Sequence, residues 1–201
     1  MESVKTSFVN LAQRTPGALY EPAEKNERQR IAVLIMHSDE DYLSFPGGTE
    51  LAGRGYTVLC ANVRSKGGII YSLAEKILCV KAAVEFLRCL SYVEKIVLLG
   101  HSGGGNLMSA YQAIAENGSS IFQTEDMIVP YPGKEKLPPA DGVLFLNTHW
   151  GNSVMQLLSL DPAVEDENSG IIINEDLNMF NPANGFRKEG SAYSKEFIEK
   201  F

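Results

Sequence analysis

Gly100-His101-Ser102-Gly103-Gly104 is the stretch that most narrows what this chain can fold into. It lies between the apolar run Ile96 to Leu99 and a helical pattern that begins near Gly105. Glycines two residues before and two after a serine suit a sharp strand-to-helix turn. The flanking backbone there passes too close for side chains, and the serine hydroxyl is left in the open. Strain in such a turn persists only where the surroundings impose it. A plain Gly-rich connection is the bland alternative, and the neighbouring elements decide between the two.

Those neighbours read as alternating strands and helices. Residues 1 to 30 carry little beyond a short strand at Ala18 to Tyr20 and a charged stretch from Glu21 to Arg30. Ile31 to Met36 is a continuous apolar run, expected for a strand covered on both faces. It ends at His37-Ser38-Asp39. A short helix follows from about Thr49 to Arg54 and stops at Gly55, a residue suited to a left-handed cap; Tyr56 to Val63 reads as a second buried strand. Ser72 and Glu75 have capping-box spacing, and Leu73, Ile77, Val80, Val84 and Leu87 then repeat as one helical stripe. Lys95 to Leu99 is the strand that feeds the turn. Leu107, Ala110, Tyr111 and Ile114 share the face of the helix after it, which ends at Asn117-Gly118. Ser119 to Pro139 is loop-like, and Gly142 to Leu146 returns to a buried strand before Asn147-Thr148-His149-Trp150. This rhythm implies an α/β fold with a mostly parallel central sheet and helices on both faces. Ligands gather at the carboxyl ends of strands in such sheets, so His37, Ser102 and His149 are expected to open toward one edge.

From Gly151 the rhythm is lost, with short apolar segments at Gln156 to Leu160 and Ile171 to Ile173 among acids, Asn and Gly. The expected division is a core over 1–150 and the start of an irregular cap or insertion over 151–201. Ser194 to Phe201 begins as a capped helix with Phe197, Ile198 and Phe201 on one face. It stops after about two turns, a length that is marginal alone, so the chain reads as cut there.

Composition excludes more than it selects. The 201 residues suit one core, and a formal net charge of -7 disfavours nucleic acid or an anionic membrane, both of which need a cationic surface. Cys60, Cys79 and Cys89 each fall inside an apolar element, which fits reduced thiols in the cytoplasm better than a disulfide framework. No signal pattern or apolar run of transmembrane length occurs. The three histidines and three cysteines show no metal-ligand spacing, so no metal and no cofactor is expected. Gly103 to Met108 fails G-x-G-x-x-G at its last position, and no Gly-Lys-Ser/Thr follows for a P-loop, which argues against nucleotide binding.

From about residue 18 to residue 160 the chain resembles the α/β-hydrolase superfamily. Gly100-His-Ser-Gly-Gly104 resembles its nucleophile elbow, and the strand ending in His37-Ser38-Asp39 stands where the family usually has His-Gly. Ser159-Leu-Asp-Pro-Ala-Val164 and Asn181-Pro-Ala-Asn-Gly-Phe186 look like segments of an esterase-like branch, where a cap region would begin. The resemblance implies a carboxylic-ester hydrolase acting on a small ester or acyl substrate. Ser102 would be the nucleophile and the Gly103 amide the first oxyanion donor, with an amide of Ser38 or Asp39 as the second. A homo-oligomer stays open.

The chain departs from the family where the base should be. The family order is Ser, then Asp or Glu, then His, and only His149 follows Ser102 with any room. It falls on the strand after the elbow, where the family does not place its base, so it is read as a substrate contact, a surrogate base or a polar residue at a strand end. His37 is expected to prop the oxyanion loop, and His101, the variable residue of the elbow, to pack locally. Asp141 falls at the wrong end of its strand, and Asp161 and Asp176 lie in the irregular segment. Two readings remain: an incomplete form of an ester hydrolase lacking its last strands, or a degenerate α/β-hydrolase fold that binds a small ligand or a partner protein.

Overall fold

A computed structural model describes residues 3–63, 72–125, 131–166, 168 and 172–201. Its contacts divide the chain into two units, Met1–Gly151 and Asn152–Phe201.

The first unit is built on a six-stranded sheet. Its strands are β1 (Val4–Leu11), β2 (Thr15–Pro22), β3 (Ile31–Met36), β4 (Thr57–Ala61), β5 (Lys95–His101) and β6 (Gly142–Leu146), in the order β1-β2-β4-β3-β5-β6. The four strands from β4 to β6 are parallel, while β2 pairs antiparallel with both β1 and β4. Helices α1 (Pro46–Ala52), α2 (Leu73–Cys89) and α3 (Gly103–Asn117) complete the unit.

The alternation of side chains along the strands separates two cores. Ala32, Leu34 and Met36 of β3 join Leu59, Leu98 and the inner stripes of α2 and α3. Val33 and Ile35 point the other way and meet Val58, Cys60, Leu99, Tyr42 and Ala52 of α1. Ile77, Val80, Val84 and Leu87 are all fully buried, as their spacing predicts, whereas Leu73 at the helix start is exposed. The capping box is formed: Ser72 Oγ accepts from the Glu75 amide at 3.4 Å, and the Glu75 carboxylate accepts from the Ser72 amide at 3.1 Å. At Gly55 φ is +98°, the left-handed conformation expected there, although α1 runs over Pro46–Ala52 rather than Thr49 to Arg54. Pro46 is its first residue, where a missing N–H costs nothing.

Two other expectations change. The first thirty residues hold a β1–β2 hairpin rather than one short strand. Its connection, Ala12–Arg14, takes positive φ at Gln13 and Arg14, residue types that announce no turn. Gly142 to Leu146 is a strand but not a buried one: Leu144, Phe145 and Leu146 are 53%, 60% and 48% exposed. Among the described residues β6 pairs with β5 alone, and an apolar run cannot by itself distinguish a covered strand from an open edge. Cys60 and Cys79 are buried and Cys89 is exposed, all as free thiols, and burial pushes the Cys60 thiol up to about 12.

The second unit has short elements only: α4 (Asn152–Leu158), the two-stranded antiparallel β7 (Val164–Asp166) and β8 (Ile172–Ile173), and α5 (Lys195–Lys200). Ser194 caps α5 through the Phe197 amide at 3.1 Å. Phe197 stacks on Tyr193, but Ile198 is exposed. Ile171 lies outside the described residues. No helix among the described residues is long and apolar enough to cross a membrane.

Candidate active site

Two backbone-on-backbone contacts and one side-chain contact make the turn after β5. A Cβ on Gly100 would overlap the backbone of Gly105, and one on Gly104 would overlap the Met36 carbonyl oxygen at the end of β3. One on Gly105 would overlap the Thr148 side chain, whose hydroxyl donates to the Gly100 carbonyl at 3.2 Å. Gly104 therefore lets the start of α3 lie directly on the end of β3. Gly105 lets the segment after β6 close over the turn. These contacts hold Ser102 at φ 53°, ψ -125°, a sparsely populated conformation for a non-glycine residue and one that costs on the order of 1–3 kcal/mol. The Ser102 amide donates to the Leu146 carbonyl at 3.1 Å, while its hydroxyl makes no capping bond to α3.

α3 begins at Gly103, two residues earlier than its apolar pattern shows. The Gly103 amide belongs to the first turn, where N–H groups have no partner within the helix, and the helix dipole adds positive potential there. Facing it is the loop after β3: a Cβ on Gly103 would lie 2.6 Å from Ser38 Oγ and 3.2 Å from His37 Nε2. The chain thus brings Ser102, Gly103, His37 and Ser38 together at the carboxyl ends of β3 and β5.

The loop distinguishes its own residues. The amides of Asp39 and Glu40 both donate to His37 Nδ1, at 3.0 and 2.9 Å. The Asp39 amide is thereby committed, which leaves Ser38 as the candidate for a second oxyanion donor. The Asp39 carboxylate instead pairs with Lys76 Nζ of α2 at 2.5 Å. Burial opposes its ionisation, but Lys76 and the Ser38 hydroxyl outweigh burial and hold its carboxyl below the usual range.

Each of the three histidines has its Nδ1 engaged by a partner other than Ser102. The His149 Nδ1 accepts from the Gly151 amide at 3.0 Å and lies 3.2 Å from the Asn106 side-chain nitrogen. Its ring proton is therefore on Nε2, a donor rather than an acceptor for the serine proton. His101 Nδ1 is hydrogen bonded to the Tyr42 hydroxyl, and the ring tilts against Phe45 with centroids 5.2 Å apart, the local packing expected of it. Tyr42 stacks on His37 on one side and Phe45 on the other. Neither Tyr42 nor Phe45 was a sequence-level candidate, since nothing marks an aromatic residue in a polar loop as a wall of a site.

The acids are structural. Asp141 accepts from the Ile96 amide at 2.9 Å and pairs with Lys95 at 3.0 Å, joining the starts of β5 and β6. Asp161 accepts from the Ala163 amide at 2.9 Å, and Asp176 pairs with Lys200 at 3.5 Å. The described residues contain no group of His, Cys, Asp and Glu able to hold a metal ion.

No protein-family model matches the chain, and no curated protein matches it. Among solved structures it is similar to esterase B from Lactobacillus rhamnosis. The C6-C4 SN3 inhibited form is 18% identical over 79% of this chain and 53% of that one, with a TM-score of 0.57. The form with a C4-C4 SN3 tributyrin phosphonate is 18% identical over 73% and 50%, with a TM-score of 0.54. The butyrate-bound thermophilic esterase Est2 from Thermogutta terrifontis is 19% identical over 72% and 53%, with a TM-score of 0.48. The chain spans about half the length of these esterases. The two esterase B likenesses, together with the sheet order and the turn after β5, show an α/β-hydrolase fold.

Proposed function

We propose that this chain carries the nucleophile side of a carboxylic-ester hydrolase. Ser102 Oγ attacks the ester carbonyl, and the oxyanion that forms is held between the amides of Gly103 and Ser38. Fixed donors aimed at a developing charge are worth about 3 kcal/mol each. The observation that carries the reading is the strained Ser102, φ 53° and ψ -125°, at the head of α3 with Gly103 pressed against the Ser38 loop. A serine hydroxyl is a weak nucleophile until a base takes its proton. His37 and His149 accept backbone amides at Nδ1, which leaves Nε2 protonated and supports reading this chain as an incomplete form of the enzyme whose base lies elsewhere. The substrate is a small ester or acyl compound, residues 151–201 are the start of a cap region, and the enzyme works in the cytoplasm.

The engaged histidines equally favour a second reading, a degenerate site that binds a small ligand or a partner protein without turnover. A fluorophosphonate probe separates the two. The protein is expressed with whatever sequence naturally flanks residues 1–201, and Ser102 is expected to be labelled, with Ser102→Ala as the blank. Absence of label on Ser102, alongside a thermal shift produced by a short-chain carboxylate, would establish the binding reading instead.

A further inference from the structure

The loop after β3 depends on one ring nitrogen. His37 Nδ1 accepts two backbone N–H groups, those of Asp39 and Glu40 at 3.0 and 2.9 Å. A nitrogen whose lone pair faces two donors cannot carry a proton, so the ring is neutral with its proton on Nε2. The same Nε2 edge lies against Gly103, next to Ser38 Oγ. Tyr42 covers the ring, with centroids 5.0 Å apart and planes at 24°. Asp39 ties the turn to Lys76 on α2, and farther along the loop the Tyr42 amide donates to Asn62 Oδ1 at 2.7 Å while the Asn62 amide group donates to Asp41 at 2.7 Å.

We propose that His37 is a positioning residue whose neutral, Nε2-protonated ring holds the 37–40 turn in the shape that sets Ser38 against Gly103, and that a proton on Nδ1 dismantles the turn. Protonation turns the acceptor into a donor facing two donors. Both bonds are lost together, and Ser38 is released from its place opposite the start of α3. The site is then competent at neutral pH and switched off by acid.

The surroundings favour the neutral ring. Burial holds the His37 ring below its ordinary value; Glu40 and Asp39 on its own loop pull the other way, and His101 of β5 and His149 beyond β6 push it down further. Asp39 is partly offset by Lys76 from α2, while Tyr42 and Phe45, also on the loop, contribute rings rather than charge. A histidine lowered in the folded state binds more protons when unfolded. Its stabilising contribution is therefore full above the unfolded value of about 6.5 and is lost as pH falls through the folded value.

The proposal concerns the turn, and it gains a catalytic meaning only with the ester-hydrolase reading, so its test does not depend on turnover. In uniformly 15N-labelled protein, His37 is expected to show an unprotonated Nδ1 and a protonated Nε2 at pH 8. The amides of Asp39 and Glu40 should lose roughly fivefold to tenfold of their hydrogen-exchange protection, corrected for intrinsic exchange, as His37 titrates. His37→Ala should show that loss at every pH. His37→Asn should restore protection without pH dependence, because an asparagine carbonyl accepts from amides two and three residues on and does not titrate. Fluorophosphonate labelling of Ser102 should follow the same order: pH-dependent in the wild type, low in His37→Ala, restored in His37→Asn. An Nδ1-protonated ring at pH 8, or protection at 39 and 40 that is indifferent to His37 titration, overturns the proposal even if Ser102 labels. Failure of all labelling with the predicted protection pattern intact sinks the ester-hydrolase reading alone. If His37→Ala does not fold, the wild-type titration and His37→Asn decide.

Discussion

The turn after β5 and the unit Asn152–Phe201 differ in how far each relies on side chains. At the turn, backbone lies on backbone: Gly100 against Gly105 and Gly104 against the Met36 carbonyl, with Thr148 closing over Gly105. In Asn152–Phe201 one such contact, Gly185 against the Ala192 carbonyl, stands among many ties made by side chains reaching for nearby backbone. Asn184 donates to the carbonyls of Glu175 and Asn178 at 2.9 Å each. Asn181 accepts from the Ala183 amide at 2.9 Å, and the Tyr193 hydroxyl donates to Met179 at 2.8 Å. Its apolar side chains Leu157, Leu158 and Leu160 stay largely exposed, and with Phe201 they line a groove of about 670 Å³. Backbone contact cannot give way when an atom is added, whereas a side-chain tether can be lost singly. A site that must hold one serine in a costly conformation uses the first kind of construction.

The sharpest way to break this contrast is Gly104→Ala. Its methyl meets the Met36 carbonyl, and neither partner is a side chain that can turn aside. The expected loss is about 3 kcal/mol, seen as a fall of roughly 10 °C in melting temperature; a fall under about 2 °C would show that the backbone yields there. Gly105→Ala should cost less, about 2 kcal/mol, because its neighbour is a side chain. Trimming Thr148→Ala in the same protein should recover part of the loss, and a double-mutant cycle on urea midpoints measures the coupling. Ser102→Gly sharpens the comparison from the other side. Releasing φ 53° should stabilise the protein by about 1 kcal/mol while removing the nucleophile, and a destabilised Ser102→Gly would mean the turn stores no strain. The smallest effect belongs to Asn184→Ala, with about 1 kcal/mol or less lost locally. Faster exchange confined to residues near 175–185, with Ser102 labelling unchanged, is the expected result.

Much of the fold was legible because the chain's apolar patterns and punctuation agree. Ile31–Met36 is read without error, since six consecutive apolar residues of mostly β-branched or long type between polar flanks admit little else. Ser72 and Glu75 mark the start of α2 for the chemical reason that each satisfies the other's free amide. The hairpin of β1 and β2 was hidden because Gln13 and Arg14 adopt positive φ only under the pull of strand pairing. The exposure of β6 was hidden because an apolar run specifies a preference for burial and not its fulfilment. At the site, the sharp turn that presents Ser102 was readable from the glycine spacing. The separate fates of Ser38 and Asp39 were not, since adjacent amides in one loop are told apart only by where His37 points its ring.

The sequence by itself determined an α/β chain with one serine on a Gly-flanked turn, because glycine spacing and strand-helix alternation are local properties that neighbours in the chain can encode. Tertiary structure decided which amides around that serine are free and which way each imidazole faces. A hydrogen bond has one partner in space, and a polar residue in a loop can be offered many. His149 Nδ1 turns to the Gly151 amide and His37 Nδ1 to those of Asp39 and Glu40, and no spacing of residues records those choices.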